Sequence, residues 1–101
     1  MGEDLRVLRE KVLSDVSPHD AFWTCNGVVC RNIYELISNI EGLNEFSFKY
    51  HVNSDKKKND FAVWIRDVLK DAVLAERLYA ISEKDRYVDV IKERAKELES
   101  A

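Results

Sequence analysis

The side chains best equipped for chemistry lie between residues 51 and 67, where His51, Asn53, Lys58, Asn59, Asp60, Trp64 and Asp67 follow one another. An imidazole near carboxylates has three uses: to bind a divalent ion, to move a proton, or to close a hydrogen bond inside the fold. The spacing argues against the first. On one helix, Asp60 and Asp67 stand two turns apart, about 10 Å, too far to touch one ion. No second histidine accompanies His51, since His19 follows Pro18 in a connector and reads as a solvent-facing loop residue. No metal and no cofactor is therefore expected. The third use accounts for every residue: Asn53 suits a turn, Asn59 or Asp60 caps a helix, Asp71 caps its successor, Trp64 is a core aromatic, and His51 donates to one of the carboxylates.

Other reactive groups lack the company that activity needs. No serine stands in a Gly-x-Ser-x-Gly context, and Gly2, Gly27 and Gly42 are isolated, so there is no phosphate-cradling loop. Cys25 and Cys30 lack the helix N-terminus that activates a redox thiolate and the second ligand pair that zinc requires, and they read as buried free thiols. The chain is not expected to be an enzyme. Lys56, Lys57 and Lys58, near Tyr50 and His51, are suited to phosphates, but three lysines on one loop of an acidic protein more often form a solvated turn. With 16 Lys+Arg against 19 Asp+Glu, the net charge is −3, and no positive field is available to hold a polyanion. Nucleic acid is not an expected partner.

The elements that must position these residues follow from periodicity. A chain of 101 residues with 46% apolar and 35% charged side chains suits one domain, 1–101. Leu5, Leu8, Val12 and Val16 predict an amphipathic helix over 3–16 that Pro18 ends. Asn26-Gly27 between β-formers predicts a hairpin over about 21–31 with a two-residue loop, which places Trp23, Cys25, Val28 and Cys30 on one face and Phe22, Thr24, Val29 and Arg31 on the other. Asn32 and Glu35 start a helix striped by Ile33, Leu36, Ile37 and Ile40, with Gly42 as its left-handed stop. Phe61, Trp64, Ile65, Val68 and Leu69 predict the central helix, followed from Asp71 by a second helix after a bend at Lys70-Asp71 or with no break. Residues 19–81 thus form the hairpin plus a helical core, and 82–99 a last helix lined by Tyr87, Val88, Ile91, Ala95 and Leu98. The strict alternation of Phe46, Phe48, Tyr50 and Val52 is that of a half-buried strand, whereas Asn44 would cap a short helix.

The chain resembles a small uncharacterised prokaryotic domain family. The motifs that carry the resemblance are His51-Val52-Asn53, Asn59-Asp60-Phe61, Trp64-Ile65-Arg66-Asp67-Val68-Leu69, and Asp71 with Leu74-Ala75. It covers roughly residues 19–99, with the extra lysines at 56–58 as a departure. The resemblance implies a helix rather than a strand before His51, and it implies no activity.

The expectation is a mainly α (α+β) domain of four to five packed helices, with the N-terminal hairpin laid against the central helix. No apolar run reaches the ~18 residues of a membrane span, the chain begins Met1-Gly2-Glu3-Asp4 with no basic and apolar leader, and Arg6 stands where a myristoylation motif needs Ser or Thr. A cytoplasmic protein is expected. The leading functional reading is a non-enzymatic protein-interaction or self-association module, since Phe22, Trp23, Tyr34, Phe46, Phe48, Tyr50, Tyr79 and Tyr87 exceed what one small core hides; the first or last helix is a candidate surface. The alternatives are a small-molecule or anion-binding regulatory domain centred on His51, Asn53, Lys58 and Asp60, and nucleic-acid contact through Lys56–Lys58.

Overall fold

A computed structural model describes residues 5–101; residues 3 and 4 of the expected first helix lie outside them. Among the described residues there are six α-helices, α1 (Leu5–Leu13), α2 (Ile33–Gly42), α3 (Glu45–His51), α4 (Asp60–Asp67), α5 (Ala72–Tyr79) and α6 (Lys84–Glu99). Two short antiparallel ribbons join them: β1 (Phe22–Trp23) with β2 (Val29–Cys30), and β3 (Val52–Asn53) with β4 (Lys58–Asn59). The class is the expected one, mainly α with a hairpin near the N-terminus, but with six helices where four to five were expected and a second ribbon where a polar loop was.

Asn and Asp punctuate this chain. Asn32, Asn44, Asn59 and Asp71 each accept a hydrogen bond from a first-turn amide of α2, α3, α4 and α5 respectively, and Asn53 does the same for the 3-10 turn Ser54–Lys56. Each cap satisfies an amide that has no partner inside its own helix, worth about 1 kcal/mol. At α2 the Glu35 carboxylate closes the box on the Arg31 amide, 2.9 Å, one residue before the cap. Residues 45–51 are a helix, as the family resemblance implied, because the Asn44 cap outweighs the alternating pattern.

Several local expectations are corrected. The first helix ends at Leu13, not 16: Val16 instead donates its amide to the carbonyl of Arg31, the residue after β2, at 2.7 Å. Gly42 is the last residue of α2, and its φ is not positive. The left-handed stop belongs to Lys70, φ 65, where the Asp71 amide reaches the Ile65 carbonyl at 3.1 Å and breaks α4 from α5. The hairpin register is shifted by one. Phe22 pairs with Cys30 and Trp23 with Val29, and the Gly27 amide closes onto the Thr24 carbonyl, 3.0 Å. Within the hairpin only Gly27 takes positive φ (83), whereas a two-residue type I′ loop needs two such residues, so the loop is the three residues Cys25, Asn26 and Gly27. Phe22, Thr24 and Cys30 therefore turn inward, and Trp23 and Cys25 are exposed.

The core is centred on α6, not on α4 as expected. Helices α1, α2 and α5 pack against it, and α4 packs on α5. Tyr87, Val88, Ile91, Ala95 and Leu98 are buried, joined by Val90 and Arg94. Arg94 holds Asp71 through two hydrogen bonds, 2.9 and 3.0 Å, wholly inside the protein. The hairpin does lie on α4: Phe22 meets the rings of Phe61 and Trp64, and the Trp64 indole donates to the Asp20 carbonyl at 2.7 Å.

Candidate functional site

His51 is the last residue of α3 and is buried, with 3% of its surface exposed. Its Nε2 stands 3.0 Å from the Cys25 amide, and its Nδ1 stands 2.9 Å from Asp60 Oδ2. A backbone amide can only donate, so Nε2 is the acceptor, and Nδ1 carries the proton given to the carboxylate. Asp60 is available because Asn59 is the cap of α4, which settles the choice left open between them. Phe22, Tyr50 and Phe61 enclose the imidazole with ring centroids 4.9 to 5.5 Å away. One histidine thus fastens the hairpin loop, the end of α3 and the start of α4 together.

An Asp–His pair of this kind serves a general base only if the outer nitrogen is free to receive a proton from substrate. Here that nitrogen is taken by the Cys25 amide. The exposed Cys25 thiol is directed elsewhere, 3.9 Å from the Ser47 carbonyl. Cys30 is the buried thiol, and burial pushes it up to about 11 with Glu35 adding to the shift, so it is held as the unreactive thiol form. The expectation of two buried thiols holds for Cys30 and fails for Cys25, which the three-residue loop carries to the surface.

The remaining candidates are dispersed. Asn53 is occupied with the amides of Asp55 and Lys56. Asn59 faces the core, giving its Nδ2 hydrogen to the Leu78 carbonyl and accepting from the Tyr87 hydroxyl at 2.6 Å. Trp64 is a core aromatic, and Asp67 pairs on the surface with its neighbour Arg66. Lys58 lies over the Tyr50 ring at 3.9 Å, donates to the Tyr50 carbonyl and stands 3.4 Å from Asp60. The lysine triplet is therefore no uniform basic face. Among the described residues, no group of three or more His, Cys, Asp or Glu side chains is arranged to hold a metal ion. A groove of about 460 Å³ runs between the β3–β4 ribbon and the α5–α6 link, with Val52 and Ile81 in its lining and Ser54, Ser82 and Lys57 supplying polar groups.

The residues that sequence reasoning left out of the site are on the other side of α3. Phe46 is 85% exposed and Tyr50 56%, one turn apart in a single row. Trp23, 67% exposed, stands on the outward face of the hairpin. The apolar stripe of the last helix is buried, and the first helix leaves Leu5 and Val7 exposed. The signal was legible: once 45–51 is read as a helix, its aromatics point in every direction, and a short helix touching one core buries only one side. Tyr34, by contrast, is tied down by its hydrogen bond to Glu99, 2.5 Å; burial and then that carboxylate push its phenol up to about 12.

A family model described as a family of unknown function, DUF5752, matches residues 16–99. No curated protein and no solved structure matches the chain.

Proposed function

This chain belongs to the family of unknown function DUF5752, and from that premise we propose that it is a non-enzymatic protein-interaction module whose contact surface is the aromatic row of α3. The observation that carries the reading is Phe46, a large apolar side chain left 85% exposed on a helix whose other side is locked into the core. A lone exposed apolar residue needs no explanation. This one is followed a turn later by Tyr50, which Lys58 and His51 hold in place, so the surface is preorganised for a partner.

The absence of enzymatic activity is part of the proposal, supported by the engagement of both His51 nitrogens. So is a cytoplasmic setting, which suits the free thiols Cys25 and Cys30. Among the described residues no helix is long and apolar enough to cross a membrane.

The test is photo-crosslinking in cells with p-benzoylphenylalanine at position 46, against a control at exposed Arg86 on the solvated side of α6. A discrete adduct at position 46 that is missing at 86 and lost with Tyr50→Ser is the expected result. Equal adducts at both positions, or none at 46, would overturn the reading.

A further inference from the structure

We infer that the partner of this face is a second copy of the chain, docked through an antiparallel α3–α3′ contact about a two-fold axis. The inference rests on the reading of α3 as a contact surface and goes on to name its occupant. Charge complementarity points to a second copy. Beside the row of Phe46 and Tyr50 runs a second exposed row, Glu45 and Lys49, also one turn apart. Among the described residues neither the Glu45 carboxylate nor the Lys49 ammonium has an ion-pair partner, although a spacing of four residues would allow them to pair with each other.

The symmetry makes these rows self-complementary. When two helices pack antiparallel with their aromatic rows facing, a two-fold axis perpendicular to the helices brings the two charged rows to the same side of the contact and reverses their direction. Glu45 then faces Lys49 of the second copy, and Lys49 faces its Glu45. A parallel arrangement sends the charged rows to opposite sides and leaves all four charges unpaired. An isologous contact of the antiparallel kind closes after two copies and does not propagate.

The opposite flank of the aromatic row is the side that carries Ser47 and His51, where the hairpin loop is seated through Cys25. The contact is therefore framed by charges on one side and by the hairpin on the other. A helix of 7 residues is only about 10 Å long, so one face of it buries far less than the roughly 800 Å² per partner of a stable interface. The dimer is accordingly weak and concentration-dependent.

Charge swaps test this, by sedimentation equilibrium of the purified full chain over a wide concentration range. The wild type dimerises reversibly. Glu45→Lys puts lysines opposite lysines, and Lys49→Glu puts glutamates opposite glutamates; each weakens its own dimer by about tenfold or more. An equimolar mixture of the two variants forms a mixed dimer tighter than either alone, and the double variant Glu45→Lys/Lys49→Glu recovers wild-type association. Circular dichroism melts confirm that each variant is folded, and Phe46→Ser, on the exposed side of α3, provides a second variant that abolishes dimerisation. A wild type that stays monomeric, or a mixture that fails to pair, overturns the second copy as occupant. In that case a crosslink from position 46 to a protein of different mass would still support the contact surface, whereas loss of every position-46 adduct would remove both readings.

Discussion

Phe46 and Phe48 are the same residue type, two positions apart on one short helix, and their fates are opposite: Phe46 is 85% exposed and Phe48 is not exposed at all. Phe48 stacks with Phe61 and meets Tyr87 edge-on, at centroid distances of 6.4 and 5.4 Å, whereas Phe46 has no ring neighbour among the described residues. His51 shares the inner side with Phe48, and Tyr50 shares the outer side with Phe46. The contrast teaches that on α3 composition does not separate scaffold from surface. The angular position around the helix does.

The comparison is sharpened first by truncating each phenylalanine. Phe48→Ala should cost about 3–5 kcal/mol in urea unfolding, because it opens a cavity among packed rings. Phe46→Ala should change stability by no more than about 0.5 kcal/mol. Equal costs would break the contrast.

His51→Ala comes next, with an expected loss of about 2–4 kcal/mol from the cavity and from an unpaired Cys25 amide. Thiol labelling of that variant and the wild type gives a second readout. Native protein should react at Cys25 and not at Cys30 until it unfolds, and a freed hairpin should expose Cys30 sooner. Modification of native wild-type Cys30 at the Cys25 rate would contradict its burial.

The pH effect follows from the same thiol. Cys30 is raised from 9.0 to about 11 in the folded protein, so between those values the native state holds a proton that the unfolded state has lost. Its contribution is complete below pH 9 and declines as pH rises to 11, by up to about 3 kcal/mol. Tyr34, raised from 10.0 to about 12, adds to the decline at higher pH. Alkaline urea titrations of the wild type and Cys30→Ala should differ in slope over that window, with the variant flatter. Identical slopes would exclude Cys30 as the cause.

The smallest effect concerns the break between α4 and α5. Lys70 pays the cost of a left-handed conformation without being glycine, so Lys70→Gly should stabilise the protein by about 1 kcal/mol. A destabilised variant would mean that the lysine side chain contributes more there than its backbone costs.

Much of the fold was legible because it is local. A side-chain oxygen at Asn32, Asn44, Asn59 or Asp71 needs only an amide two or three residues ahead, and the apolar stripes of α2, α4 and α6 need only their own periodicity. The candidate site was less legible. His51 was rightly read as donating to a carboxylate, but its second partner is the amide of Cys25, 26 residues away, and no local pattern announces that bond. Asp67 and Asn53 share the motif with His51 and Asp60 in sequence, yet Asp67 stays with Arg66 and Asn53 with its own turn.

By itself the sequence determined that helices begin after Asn32 and near Asn59–Asp60, which side of most helices is apolar, and that a turn falls at Asn26-Gly27. Only the tertiary structure decided the register of that turn, the burial of Cys30 against the exposure of Cys25, and which aromatics of α3 meet the core. The reason is physical. A shift of one residue in a hairpin exchanges the two faces of one strand relative to the other at little local cost, so the choice falls to distant groups. Here these are the rings of Phe61 and Trp64 that receive Phe22, and the His51 nitrogen that receives the Cys25 amide.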